Sequence, residues 1–333
     1  MLLDAAPLAE VWRGPIAESE HVGHVVVAGP GGDVAEAWGA PGTVVLPRSS
    51  AKMIQALPLV ASGAAEAAGL TARQLALACA SHEGAPRHAD GVADWLAARG
   101  LSEADLRCGP QPPRDKVLKH EMLRAGETPT QLHNNCSGKH AGFLTLMQHL
   151  GAGAEYHEAD HPVQRAALEA FEAVTDAPSP CYGIDGCSAP NFATTMQAMA
   201  RAMATFATAH TRSGALDRAA ARLVRAMIAH PKDVAGEGRA CTLLMQAARE
   251  PAALKTGAEG FFVAILPERG LGVAVKAADG ATRAAESAIA AVLVRLGVLD
   301  PAHPEVARFL RPEIRNFRGL VTGRIEPAAA LLA

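Results

Sequence analysis

A chain of 333 residues that is 49% hydrophobic has apolar material for one large core or two ordinary ones. A formal net charge of -3 and 4% aromatic residues exclude the basic field and the stacking platforms of a nucleic-acid binder, so a small-molecule partner is expected. The start Met1-Leu2-Leu3-Asp4 has no basic region, and no later segment reaches about 18 consecutive apolar residues, which reads as a cytoplasmic protein without membrane contact.

Residues 10–38 have a strand-like pattern. Glu10-Val11-Trp12-Arg13, Gly23-His24-Val25-Val26-Val27-Ala28-Gly29 and Val34-Ala35-Glu36-Ala37-Trp38, with the turn Pro30-Gly31-Gly32-Asp33, predict an antiparallel meander. The run Gly42-Thr43-Val44-Val45-Leu46 then hands over at Pro47-Arg48-Ser49-Ser50-Ala51-Lys52-Met53 to a helix expected to reach about residue 68. A second helix over 71–80 ends at Ala80-Ser81-His82-Glu83-Gly84, where Pro86 forbids continuation.

From about residue 87 to 250 the apolar period is helical, with helices predicted over 88–99, 137–150, 162–174, 189–210 and 214–230. Cys108-Gly109-Pro110-Gln111-Pro112-Pro113 reads as an extended loop. Strand signal returns in Phe261-Phe262-Val263-Ala264-Ile265-Leu266 and Gly272-Val273-Ala274-Val275-Lys276, and a helix over 282–296 follows. The expected fold class is therefore α/β, an antiparallel sheet formed by both termini and flanked by helices, with a large helical region inserted. The domains expected are 1–80 with 251–333, and 81–250, with the active site between them.

Ser49 and Lys52 stand three apart, so on a helix both face one side while Ser50 points elsewhere. A hydroxyl beside an amine that can take its proton is the layout of a Ser-Lys nucleophile; as plain structure, Ser49 caps a helix and Lys52 is a solvated charge. Only seven of the 31 basic residues are Lys. Arg serves where a fixed charge suffices, but a base must be able to lose its proton, which adds weight to lysines in motifs. Oxyanion donors are expected from backbone amides where the Ser49 helix begins.

Lys255-Thr256-Gly257, opening a strand near the C-terminus, is the second signal. With Ser49-x-x-Lys52 and the meander before it, it follows the order of parts in serine β-lactamases and penicillin-binding enzymes. Ser81-His82-Glu83-Gly84 is either a polar turn or a source of a second hydroxyl and of polar contacts to a substrate. His133-Asn134-Asn135-Cys136-Ser137-Gly138-Lys139-His140 and Ile184-Asp185-Gly186-Cys187-Ser188-Ala189-Pro190 share one shape: a polar turn, a Cys, a Ser, then an expected helix. A cysteine ahead of a helix has its thiolate stabilised by the dipole. Two of them with Lys139 or His140 would make a three-ligand, zinc-like site; inert buried thiols are the alternative.

Taken together, Arg48-Ser49-Ser50-Ala51-Lys52, Ala80-Ser81-His82-Glu83-Gly84, Asn134 to His140, Asp185-Gly186-Cys187-Ser188-Ala189-Pro190 and Lys255-Thr256-Gly257-Ala258-Glu259-Gly260 resemble the rhizobial-type, or class 3, L-asparaginases. The resemblance implies a fold like that of serine β-lactamases, a homodimer, and hydrolysis of L-asparagine to aspartate and ammonia through an acyl-enzyme. It implies Ser49 as nucleophile with Lys52 beside it, Ser81 paired with Lys255, and zinc on Cys136, Lys139 and Cys187, with Asp185 contacting Lys139. The zinc is expected to orient substrate, since the serine already supplies the nucleophile. Arg48, His82, Glu83, Asn134, Asn135 and Asp185 are the candidate substrate contacts. The rival readings are a penicillin-recognising serine hydrolase and a non-catalytic amino-acid or metal-binding module.

Overall fold

A computed structural model describes residues 4–333, and the chain divides into two compact units. The first comprises residues 1–50, 194–208 and 240–333, and the second residues 51–193 and 209–239.

Eight strands build the sheet of the first unit: β1 (Ala6–Arg13), β2 (Ile16–Ala28), β3 (Val34–Trp38), β4 (Ala253–Thr256), β5 (Phe261–Leu266), β6 (Leu271–Ala277), β7 (Glu313–Arg315) and β8 (Val321–Pro327). Their order is β7-β8-β1-β2-β6-β5-β4, with β3 also paired to β2, and every pairing is antiparallel. The two ends of the chain interleave: Val11 of β1 opposes Ile325 of β8, and Val25 of β2 opposes Val275 of β6.

Every residue of β5 is buried, as in a strand covered on both faces, which explains its unbroken apolar run. The helices Met196–Thr208 and Thr282–Arg295 pack on this sheet. Contact with the first is very close. A Cβ on Gly272 of β6 would lie 2.2 Å from the Ala204 nitrogen, so only glycine fits there.

In the second unit the predicted helix after Ser49 is three short ones: Lys52–Gln55, Leu57–Ala61 and Ala64–Ala67. Pro58 has no N–H for the Ile54 carbonyl, and Gly63 takes φ +85°, so the ladder breaks twice. These pieces belong with Ala72–Ala78, Pro86–Ala98, Ser137–Leu150, Pro162–Thr175 and Ala215–Ala229. The division thus falls after Ser50, not near residue 80. Gly138 shows how tightly the helices meet, since a Cβ there would sit 2.4 Å from the Leu77 carbonyl oxygen.

The helix expected over 189–210 begins only at Met196. Pro190–Phe192 pairs with Tyr182–Ile184 as a ribbon, and Thr194–Thr195 pairs with Val44–Val45. Cys187 therefore precedes a strand rather than a helix. Lys116–Ala125 is a helix that apolar period did not indicate; Asp115 caps its start and Gly126, at φ +69°, ends it. No helix among the described residues is long and apolar enough to cross a membrane.

Candidate active site

In the first unit, Ser49 and Ser50 lie on the 3-10 turn Arg48–Ala51, and the chain reaches it through Arg48 at φ +53°. That left-handed conformation costs a non-glycine residue on the order of 1–2 kcal/mol, and it sets the direction in which the next side chain leaves the turn. The two hydroxyls differ in state. Ser50 is fully buried and its Oγ donates to the Pro47 carbonyl at 2.5 Å, whereas Ser49 is half-buried and its hydroxyl makes no hydrogen bond among the described residues. The Ser50 amide also donates to the Pro47 oxygen, at 3.1 Å, so it is not available as an oxyanion donor.

The Lys-Thr-Gly strand is packed directly against this turn. A Cβ on Gly257 would lie 2.8 Å from the Pro47 oxygen and 3.2 Å from the Ser50 nitrogen, and the chain can pass there only because position 257 has no side chain. Lys255, on β4 two residues earlier, is 1% exposed and donates from Nζ to the Thr256 carbonyl at 2.6 Å. The Thr256 amide is held in turn by the Cys241 sulfur at 3.2 Å. Ser49 and Lys255 therefore belong to adjacent segments of one unit, although 206 positions separate them in sequence.

The remaining candidates cluster in the second unit. Lys52 is buried rather than solvated, and its Nζ donates to the carbonyls of Ala80 at 2.5 Å and Asn135 at 3.3 Å. It has no carboxylate partner among the described residues. Two of its directions are thus spent on carbonyl acceptors at the head of the Ser81 motif and at the Cys136 motif.

Ser81 is buried and its amide donates to the Val234 carbonyl at 2.9 Å. His82 is a fully buried linchpin: Nε2 meets Ser137 Oγ at 3.0 Å, and Nδ1 accepts the Gly84 amide at 3.1 Å. Its ring stacks on His88 at 4.8 Å. Both nitrogens serve the protein, so this side chain positions its neighbours and has none left to hold a ligand. Glu83 is buried, with Oε1 accepting the Glu237 amide at 2.8 Å. Burial raises the Glu83 pKa, and the Asp115 and Glu237 carboxylates add to this against the Glu237 amide and Arg239.

Asn134 donates to the Cys108 and Gly109 carbonyls, both at 2.9 Å, and accepts the Cys136 amide at 2.8 Å. It fixes the extended loop that begins at Cys108. Asn135 accepts the Cys136 thiol at 3.0 Å.

Cys136, Lys139 and Cys187 come together as the motifs suggest, at 5%, 3% and 2% exposure. Lys139 Nζ lies 3.0 Å from the Cys187 sulfur. A hydrogen bond from Cys136 draws the Cys187 thiol well below its ordinary pKa against the pull of burial, with the Lys139 ammonium adding to it. The same bond, with burial, pushes Cys136 well up. Burial opposes a charge on Lys139, but the Cys187 and Cys136 sulfurs outweigh it and raise its pKa, with Asp185 contributing. The directions of these shifts favour a thiolate on Cys187 beside an ammonium on Lys139.

His140, the other nitrogen considered, is lowered to about 4 by burial and is neutral. Its Nδ1 meets Tyr156 Oη at 2.8 Å, and the Cys187 thiol is its other polar neighbour. No three His, Cys, Asp or Glu side chains gather as metal ligands among the described residues; this cluster has two thiols and an amine. Asp185 caps its own turn through the Gly186 amide at 2.7 Å, and Ser188 takes φ +70° as the chain turns past Cys187.

The family model described as L-asparaginase II matches residues 9–327. Among solved structures, Mglu in its tris and glutamate form matches with a TM-score of 0.50 at 14% identity, over 87% of this chain and 63% of that one. The chain thus spans less than two thirds of Mglu, and the likeness is one of fold. A class C β-lactamase from Rhodobacter sphaeroides matches at 18% identity over 79% of this chain and 90% of that one, with a TM-score of 0.40. No curated protein matches the sequence.

Proposed function

Because the chain belongs to the L-asparaginase II family, we propose that it hydrolyses L-asparagine to L-aspartate and ammonia through an acyl-enzyme on Ser49. The observation that supports this reading best is the seating of the Lys255 strand against the turn that carries Ser49, with Ser50 tied back and Ser49 left available. Ser49 Oγ attacks the side-chain carboxamide carbon and gives its proton to a neutral lysine amine. The amine passes that proton to the leaving nitrogen, and ammonia departs. Water then attacks the ester carbonyl, gives a proton to the same amine, and releases aspartate and the serine hydroxyl.

Lys52 is the amine assigned to Ser49. Donation of its two N–H groups to the Ala80 and Asn135 carbonyls would leave the lone pair of a neutral amine as its third direction. The pairing of Ser81 with Lys255 as a second Ser-Lys unit is what the family resemblance implies. Arg48, Glu83, Asn135 and Asp185 are assigned to the substrate's polar ends, while His82 and Asn134 shape the loops that present them.

Cys136, Lys139 and Cys187 suit a zinc ion. Two sulfurs and an amine are donors that zinc accepts, and the 3.0 Å approach of the Lys139 nitrogen to the Cys187 sulfur supports placing a cation among them. Bound there, zinc would supply positive charge that orients the substrate, and it would require Lys139 as the neutral amine. A homodimer and a cytoplasmic location complete the proposal; light scattering of the purified protein and fractionation of cells test them.

The deciding assay is ammonia release from asparagine, glutamine and small amides, with and without chelator, together with mass spectrometry of acylation by a labelled penicillin. Release from asparagine with an acyl group trapped on Ser49 is the expected result. Glutamine, one methylene longer, is disfavoured by only about 1 to 3 kcal/mol and should be turned over slowly. Absence of release from asparagine, or stoichiometric acylation by penicillin, would overturn the reading.

A further inference from the structure

Asp233 lies in the short helix Pro231–Val234, 1% exposed, with its carboxylate held between two arginines of the same unit. Arg73 Nε approaches Oδ1 at 3.0 Å, and Arg87 reaches Oδ2 from Nη2 at 3.0 Å and Oδ1 from Nε at 3.3 Å. Arg73 belongs to the helix Ala72–Ala78, which leads into Ser81, and Arg87 to the helix Pro86–Ala98, which leads away from it. One buried carboxylate therefore clamps both sides of Ser81-His82-Glu83-Gly84. A further bond, from Arg73 Nη2 to the Arg87 carbonyl at 2.7 Å, ties the two helices directly.

The segment that carries Asp233 also touches Ser81 and Glu83 of that motif directly, and His82 through His88. The Val234 carbonyl accepts the Ser81 amide at 2.9 Å, and the Glu237 amide donates to Glu83 at 2.8 Å. The Lys232 carbonyl meets His88 Nε2 at 2.9 Å, and His88 stacks on His82. Gly236, at φ +120°, lets Glu83 pack where a Cβ would stand 2.3 Å from its carboxyl carbon. A charged, doubly bridged buried carboxylate is retained only where its partners satisfy it, and here the partners are the supports of the motif.

We propose that Asp233 is a positioning residue for Ser81, setting through the Val234 carbonyl and the Arg73–Arg87 clamp where the Ser81 hydroxyl stands. This rests on the reading that Ser81 belongs to the reacting machinery. The test is Asp233→Asn, which keeps the shape and removes the charge, assayed for asparagine hydrolysis in wild-type and Ser81→Ala backgrounds. The expected result is a fall in kcat of about 10- to 100-fold with KM within about twofold, and a further effect below about twofold once Ser81 is absent. Asp233→Glu, which restores the charge, should recover most of the lost kcat, and Lys232→Ala, which breaks only an exposed ion pair with Glu237, should change nothing.

An unchanged kcat in Asp233→Asn, or Asp233→Glu no faster than Asp233→Asn, would overturn the proposal. So would an equal loss from Asp233→Asn in both backgrounds. If Asp233→Asn does not fold, Arg87→Gln, which keeps the Arg73 contact, carries the same expectations. Full activity in Ser81→Ala alone would instead remove the role assigned to Ser81, an outcome separate from any failure at Asp233.

Discussion

Gly257 and Ser50 approach so closely that a single added carbon on Gly257 would stand 3.2 Å from the Ser50 nitrogen, with the Pro47 oxygen nearer still at 2.8 Å. Both neighbouring atoms are backbone, so they cannot rotate aside, and Gly257→Ala must move either the strand or the turn. The overpacking should cost about 1–3 kcal/mol of stability. Because the displaced atoms adjoin Ser49, kcat should fall well below what partial unfolding explains. Thermal denaturation and ammonia release on the same preparation check this; a variant with wild-type kcat would show that the seating of the strand does not matter to Ser49.

The two serines of the turn should separate cleanly. Ser49→Ala is expected to abolish turnover with melting behaviour unchanged, since its hydroxyl bonds to no described residue. Ser50→Ala removes the bond to the Pro47 carbonyl and should cost about 0.5–1.5 kcal/mol while keeping much of the rate. The opposite pattern would move the nucleophile one residue along. Lys52→Arg should be nearly as inactive as Ser49→Ala, because a guanidinium does not give up its proton and is larger than the buried space now filled.

Removal of either thiol should empty the proposed zinc site. Elemental analysis of Cys136→Ala and Cys187→Ala is expected to show metal far below one equivalent, where the unaltered protein carries about one. Cys187→Ala should be the more harmful to stability in the metal-free protein, since it strands the buried Lys139 ammonium without its thiolate. Stoichiometric metal in Cys136→Ala would refute this ligand set.

Some of this architecture could be read from the chain because neighbouring residues decide it. The β-branched run Val25 to Val27 and the apolar run Phe261 to Leu266 specify strands locally, and the order of the Ser49, Lys52 and Lys255 motifs singles out the residues of the proposed site. What stayed hidden depends on distant partners. β8 has only two buried residues, so it lacks the apolar alternation that would announce a strand, and it forms because β1 offers it a partner. Thr194–Thr195 falls inside the helix predicted over 189–210, but Val44–Val45 pairs with it instead. No motif singles out Asp233, because only folding brings Arg73 and Arg87 to it. His82, at the centre of a motif, looks like a ligand contact until both ring nitrogens are seen to be used internally. A capping acid at Asp115 and a glycine at 126 were the available signals for the helix Lys116–Ala125.

Glu83 should leave a signature in the pH dependence of stability. Burial raises its folded pKa above its ordinary value, so between the two values the folded protein holds a proton that the unfolded chain has released. Stability attributable to this group is therefore greatest below its ordinary pKa, falls as pH rises through that window, and changes no further above the folded value. Glu83→Gln mimics the protonated acid and still offers an oxygen to the Glu237 amide, so it should remove the fall. The melting temperature of the variant relative to the unaltered protein should then climb across the window and level off above it, in a series from about pH 4 to about pH 8. Parallel curves would mean that the carboxylate is solvated in the folded state, and a gap that widens toward acid would reverse the sign of the burial effect.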